Sequence, residues 1–513
     1  MSDTDILFGL TAAAGLLVYK LYKDSRTHEL SLPSSPKSYP LIGNLLSLPS
    51  GHEHLGFMKL GEELENKIIS LNVFGTTIVI LNDRKDAENL LDKRSRVYSD
   101  RSCPPLVQEP SLLGWGDFAS LVGYGDRWRK YRRLMNPWLT KKAIIAHHKH
   151  QEHATRKLLQ RLLGRHQNVM SSHGLEAELY LSVSETLLHS IYGYEAATSD
   201  DRFLVEAREV LGFLAKSALS SNYLVNVLPI LKYVPEWFPG AGWKRDAIKW
   251  RKRKEALIKD IYNIGLKNMN KNKSVDIIAG SMRAQALKIG LTKEEADDYV
   301  EQITITMFAG GTDTTVNTLL MFFTAMLLYP NIWKKAQNEI DSVLGQSRLP
   351  KMEDQAQLGY IDRIVQETLR WAPVTPIAFP HTCFQDDVYE GYRIPKGAIV
   401  IGNVWAMTRD ETVYGNPEIF DPDRYLDPAT PPSPVFGWGR RRCPGLHFAQ
   451  ASLFVAIASI LMVFDLEAVK DENGQDILPS GGMIKAAVLS PELFEFKLTP
   501  RSAKHEELIR DIL

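Results

Sequence analysis

Between Phe436 and Gln450 the chain reads FGWGRRRCPGLHFAQ, where a lone cysteine, Cys443, follows three arginines and precedes an apolar, helix-forming run. Most lone cysteines are buried and inert. The neighbours of this one suit an anion instead. Gly437 and Gly439 allow a tight turn with exposed backbone N–H groups, and a helix starting near Leu446 turns its positive dipole end toward the sulfur. A thiolate with no second cysteine or histidine at ligand spacing fits a metal that brings its own equatorial ligands, as haem does with four pyrrole nitrogens. Arg441 would then meet a haem propionate, and Phe436 and Trp438 would shield the sulfur edge, where hydrogen bonding tunes the iron.

Other stretches pair charge with unusual backbone freedom. Ala309 to Thr315 (AGGTDTT) lies inside a helical pattern, although each glycine weakens a helix by about 1 kcal/mol relative to alanine. Close helix packing would explain Gly310 and Gly311 but not Asp313 and Thr314; an approach of a flat macrocycle and dioxygen explains all four. Glu367-Thr-Leu-Arg370 puts opposite charges on one helical face, either as a surface pair or as a buried one. Trp128-Arg-Lys-Tyr-Arg132 is either a basic surface helix or an anion site. His381, after Pro380, is either a solvated loop histidine or a donor to the same anion.

Phe436-x-x-Gly439-x-Arg441-x-Cys443-x-Gly445 resembles the haem-binding signature of the cytochrome P-450 superfamily, with every signature position filled. The remaining motifs follow in the family's order, so the resemblance spans roughly residues 30 to 500. It implies haem b (iron protoporphyrin IX) with Cys443 as the axial iron ligand, whose electron donation favours O–O cleavage. Asp313 and Thr314 match the oxygen-activation pair, a carboxylate feeding protons from solvent and a hydroxyl beside the reacting oxygen. Trp128, Arg132, Arg441 and, less specifically, His381 match propionate donors; Gly310, Phe436 and Gly445 border the cofactor. Glu367 and Arg370, with Arg424 in FDPDRYL, match a buried supporting network.

These side chains need a particular framework. Thr292-x-x-Glu295 is a capping box that opens a very long helix ending before Pro330. Lys67 to Leu81 reads as two short strands around Gly75, and Val388 to Ile401 as a second β-rich region with a type I turn at Ile394 to Gly397. Asp126 to about Tyr329 is mainly helical, broken by Asn222 to Trp243, which either grazes a membrane or is an ordinary buried loop. The expected fold is mainly α with small β-sheets. It forms a single large haem-thiolate domain (45–513) behind a proline-rich hinge (25–44) and an N-terminal transmembrane anchor (1–24).

The anchor rests on Ile6 to Tyr19, an uncharged run followed by Lys20, Lys23 and Arg26. Its helix spans about 21 Å against a hydrocarbon core of about 30 Å, and snorkelling lysines extend it. A cleaved signal peptide lacks support, since acidic residues stand where its basic region belongs. The positive-inside rule then gives a single-pass protein of the endoplasmic reticulum membrane with a cytosolic catalytic domain.

Across its 513 residues, Lys plus Arg equals Asp plus Glu at 61 each, so no global field draws the chain onto nucleic acid, and three scattered cysteines disfavour a disulfide framework. A local basic face of Arg129, Lys130, Arg133, Lys141, Lys142, Arg440 and Arg442 could steer an acidic electron donor. By resemblance that donor is NADPH–cytochrome reductase, with cytochrome b5 as a second candidate, because no flavin or nicotinamide motif occurs here. Apolar residues at the family's substrate positions, among them Leu112, Leu113, Trp115, Phe118, Leu121, Val374, Ile377 and Phe379, imply a lipophilic substrate, though core packing explains each equally well. WFPGAGWKR resembles fungal members, many of which oxidise terpenoids, polyketides or aromatic metabolites. The implied activity is a monooxygenase of secondary metabolism. Haem-thiolate rearrangement chemistry and a non-catalytic haem sensor are the alternatives, and neither needs Asp313-Thr314.

Overall fold

The computed structural model describes residues 30–165, 168–219, 222–271 and 277–511. The expected anchor lies outside them. The helices that build or border the site are α1 (Asp126–Leu139), α2 (His148–Leu163), α3 (Ser172–Tyr192), α4 (Arg202–Ala218), α5 (Gly242–Lys271), α6 (Lys293–Leu328), α7 (Gly359–Trp371) and α8 (Leu446–Val463). The fold is mainly helical with small sheets, as the sequence implies.

Helix α6 is the axle. The Thr292 side chain accepts from the Glu295 N–H, and the Glu295 carboxylate accepts from the Thr292 N–H, completing the capping box. The helix then runs 36 residues to Tyr329, where Pro330 lacks the N–H needed to continue it. Its tightest neighbour is α3, against which Gly311 leaves no room: an added Cβ would sit 2.9 Å from Leu187 Cδ1. Helix α8 is apolar all round and mostly buried, which makes it a core helix.

The main sheet contains β1 (Ile68–Val73), β2 (Thr76–Leu81), β3 (Asp100–Arg101), β4 (His381–Thr382) and β5 (Ile399–Gly402), in spatial order β1-β2-β5-β4-β3. The β1–β2 hairpin turns through Phe74 and Gly75, both with positive φ, the geometry that matches strand twist. Strands β2 and β5 pair in parallel; the other contacts are antiparallel. The turn before β5 differs from expectation. It closes between Pro395 and Ala398 with Gly397 at φ +85°, which makes it type II and shifts it by one residue.

Residues 30–44 lie along the outer edge of β1. Ser70 donates its N–H to Ser34 O (2.8 Å) and its hydroxyl to Pro33 O (2.7 Å), and the Asn72 N–H donates to Asn44 Oδ1 (2.8 Å). A two-residue strand at Met170–Ser171 pairs with Glu495–Pro500 and is too short to leave a sequence pattern.

Candidate functional site

The turn before α8 is built as the glycines suggest. Gly437 and Gly439 adopt φ of +71° and +52°, and a Cβ on Gly439 would lie 2.4 Å from Leu91 O, so only glycine lets the turn seat there. The Cys443 N–H donates to Phe436 O (2.8 Å). Trp438 is buried in a side cluster with Leu91 and Val404, packed over Gly402 of β5, so it wedges the turn onto the sheet.

Cys443 is solvent-accessible, yet burial dominates its ionisation and raises the thiol above its ordinary value. The N–H groups of Gly445 and Leu446 and the charges of Arg132 and Arg442 pull the other way but do not win. The turn and the residues at the start of α8 thus reduce the cost of a thiolate without removing it, and a cation bound to the sulfur would supply the rest, as coordinated metals do.

Helix α6 packs against α8 and is open at Gly310. A Cβ added at Gly310 would meet nothing within 4 Å, although most of the helix around it is buried. Next to that opening Thr314 Oγ1 donates to Gly310 O (2.7 Å). Asp313 is pushed up to about 6 by burial, with Arg208 on α4 opposing and Glu176 on α3 adding to the rise. A carboxyl near neutrality can both take and give a proton at cellular pH.

Around the Cys443 turn buried cations gather, and Asp100 is the carboxylate that opposes the lowering of Arg441 and Arg101. Arg441 donates from Nε to Ser99 O and from Nη2 to Val122 O (2.7 Å each), while Nη1 is buried without a partner. Burial lowers this guanidinium to about 10. Its charge lies over the Trp128 ring, 4.8 Å from the centroid, which brings α1 to the same place. Arg132, one turn on, donates to Arg442 O (3.2 Å).

Sequence reasoning missed Arg101. It sits on β3 paired with His381 on β4, donates to Phe379 O and Pro380 O (2.6 and 2.9 Å), and keeps a buried Nε with no partner. Burial and the Arg441 charge push it down to about 9. His381 is buried, not solvated; its Nδ1 lies 2.5 Å from Tyr98 O, and burial and Arg101 hold it well below the ordinary histidine value. Asp100 offsets this buried charge only in part, and buried charge without a partner is costly, so this knot with orphaned N–H groups fits a ligand carrying carboxylates. The residues present thus suit a flat, iron-bearing macrocycle with two acidic arms.

Glu367 and Arg370 on α7 are fully buried and joined by two hydrogen bonds (2.8 and 2.7 Å). Arg424 Nε (3.1 Å) and the Asp421 N–H (2.9 Å) also donate to Glu367 Oε1. Arg370 spends its remaining donors on Thr408 O, Pro417 O and Ile419 O. The surface-pair alternative is excluded.

Of the basic face, Arg133, Lys141, Lys142 and Arg442 are exposed, whereas Arg129 is paired with Asp126 (2.6 Å) and Arg440 donates to Tyr124 Oη. A cavity of about 680 Å³ behind the turn is lined by Arg440, Arg442, Arg84, Glu88 and Asp92, so its charge is mixed. Of the apolar substrate candidates, Leu112, Leu113, Trp115, Phe118 and Val374 are buried in the main core, while Phe379 is 47% exposed.

Comparison with known proteins agrees with this geometry. The family model for cytochrome P450 matches residues 33–498. The chain is 34% identical to a cytochrome P450 monooxygenase of Armillaria gallica over 94% of both chains. It is 35% identical to the monooxygenase claR of Ampulloclitocybe clavipes, over 97% of this chain and 92% of the relative. It is 31% identical to the monooxygenase COX2 of Coprinopsis cinerea, over 97% and 94% respectively. Members of this family bind haem through a cysteine thiolate, the ligand type that the turn at Cys443 offers. The chain therefore belongs to the cytochrome P450 family, among monooxygenases related to those of fungi, and is an oxidoreductase.

Proposed function

We propose that the protein inserts one atom of dioxygen into an unactivated C–H bond of a lipophilic metabolite such as a terpenoid, polyketide or aromatic compound. The balance is R–H plus dioxygen, two electrons and two protons giving R–OH and water. The observation that carries the reading is the conjunction of an accessible yet enclosed thiol, an open point on α6 beside Thr314, and buried guanidinium N–H groups without partners.

On this reading Cys443 holds the iron of haem b. Arg441, Arg101 and Arg132, with Trp128 and His381, hold the propionates; Gly310, Phe436 and Gly445 border the ring. When bound, the haem supplies dioxygen activation. The chain's own contribution is proton handling: Asp313, poised near neutrality, takes protons from the Glu176–Arg208 side and passes them to the Thr314 hydroxyl. Glu367, Arg370 and Arg424 keep the segments beneath the turn in register.

The electron pair comes from NADPH through a membrane-bound reductase, with cytochrome b5 as an alternative donor, and the exposed Arg133, Lys141, Lys142 and Arg442 offer the docking charge. Location at the endoplasmic reticulum membrane, with an anchor over residues 1–24, is supported by the connector before α5. There Leu224, Ile230, Tyr233, Trp237 and Phe238 stand exposed, Trp237 at 78%, a composition suited to a bilayer interface. Residues 30–44 of the expected hinge are instead held against β1.

The test is the Cys443→Ala variant of the full-length protein. It should lose the reduced carbon monoxide band of a thiolate-ligated haem; retention of that band would end the proposal. In the unaltered protein, NADPH consumption coupled to hydroxylated product supports monooxygenation, and a haem spectrum without turnover refutes it.

A further inference from the structure

Lys254, on α5, is a buried titratable group with no part in the chemistry above. Only 6% of it is exposed, and no carboxylate among the described residues lies within ion-pair distance of its ammonium. Instead Nζ donates to two successive carbonyls, Leu113 O (3.0 Å) and Gly114 O (2.6 Å), and faces the Trp115 ring 5.2 Å from the centroid. Gly114, at φ +64°, lets both carbonyls turn toward one point. The stretch 109–122 carrying them is clasped at its far end by α6, where the Ala119 N–H donates to Thr306 Oγ1 (3.0 Å). Further bonds run to the same stretch: Arg251 Nη1 to Pro110 O (2.5 Å) and Lys232 Nζ to Glu109 Oε2 (2.9 Å).

We propose that Lys254 is a proton-linked latch: loop 109–122 closes over the side chain and lifts away when the amine regains water and its proton. The physical reason is direct. Carbonyl dipoles and an aromatic face replace part of the hydration of an ammonium, and nothing nearby balances its full charge. Burial accordingly lowers Lys254 to about 8. Once lifted, the amine is an ordinary lysine, near 10.4. The open loop therefore binds the proton more tightly than the closed loop, so protons favour opening. With those two values, opening is about tenfold more frequent at pH 7 than at pH 9 and changes little below pH 7.

The charges facing Lys254 do not blur this window. Glu255 and Arg251 on α5 face each other (3.9 Å), and Asp117 on the loop pairs with Arg127 (3.2 Å). Glu109 is held low by Lys232, which is itself raised. Burial keeps Cys103 near 12 and pushes Tyr131, which donates to Asp117 O, upward as well. On the reading under Proposed function loop 109–122 belongs to the segment expected to contact substrate, so the latch would govern entry and release. The motion itself is measured without substrate, so its failure and that of the catalytic reading are separable.

The experiment is hydrogen–deuterium exchange of the full-length, haem-loaded protein at pH 7, 8 and 9, each rate divided by the intrinsic rate at that pH. The Trp115 amide, bonded to Val107 O, and the Ala119 amide, bonded to Thr306 Oγ1 on α6, are the reporters because both acceptors lie outside the loop. The corrected opening frequency should fall about tenfold from pH 7 to 9, and Lys254→Met should abolish the slope. If that variant does not fold, Lys254→Arg, charged throughout the window, must also give a flat profile. A change below twofold in the unaltered protein, or an undiminished slope in the variant that folds, overturns the latch.

Discussion

Replacing Glu367 by glutamine tests the buried network with almost no change of shape. The carboxylate accepts four hydrogen bonds, two from Arg370, one from Arg424 and one from the Asp421 N–H. Glutamine keeps one oxygen but turns an NH2 group toward a guanidinium N–H, and it leaves two buried positive charges without a counter-charge. Stranding a buried partner costs about 3–5 kcal/mol. Unfolding entropy near 2.1 cal/mol/K per residue gives about 1.1 kcal/mol/K for a chain of this length, so the melting temperature should fall by about 3–5 °C. The assay is thermal unfolding by circular dichroism at a fixed scan rate, with haem content measured in parallel. Arg370→Met should cost a similar amount, and Glu367→Leu with Arg370→Met together should cost less than the sum, because Arg424 is then the one guanidinium of the network left without its carboxylate. A shift below 1 °C for Glu367→Gln, or strict additivity in the double variant, would refute the reasoning.

The two glycines of α6 should respond with opposite sign: Gly311→Ala meets Leu187 and should destabilise by about 1–3 kcal/mol, whereas Gly310→Ala, which meets only open space, should raise the apoprotein's stability by up to about 1 kcal/mol. Urea unfolding of both variants checks this, and equal shifts would contradict it. Asp313 is raised in the fold, so the native state holds its proton more tightly than the unfolded chain. Its stability contribution is therefore greatest below the ordinary carboxyl value near 4 and is lost as pH climbs through about 6. The stability gap between the unaltered protein and Asp313→Asn should move in the variant's favour over that interval and level off above it; a gap that stays constant from pH 4 to 7 would remove the claimed shift. Thr314→Ala should divert reducing equivalents to hydrogen peroxide, measured as peroxide formed per NADPH, and unchanged product per NADPH would reject the hydroxyl's role.

What could be read from sequence was local. The Thr292–Glu295 box, the Phe74-Gly75 reversal and the Glu367–Arg370 spacing each depend on residues a few positions apart, and each has the form its pattern implies. Arg101 could not be found that way, since its meaning comes from pairing with His381 some 280 positions later. Nor does a pattern of types report depth. The Cys443 turn has the expected glycines and arginines, but the balance between their pull on the proton and the cost of enclosure is set by segments far off in the chain. The loop around Leu112 to Phe118 shows the same limit: its apolar residues look like a binding surface, yet most of them are core.

The attachment of residues 30–44 to β1 bears on any attempt to trim the protein for crystallisation. Cutting after residue 44 would strip a hydrogen-bonding strip from the sheet and bare the Ser70 and Asn72 amides along a strand of alternating apolar residues, a template on which separate molecules could add to one another. A cut ahead of Leu30 leaves that border sealed, so the shorter deletion should yield the better-behaved material.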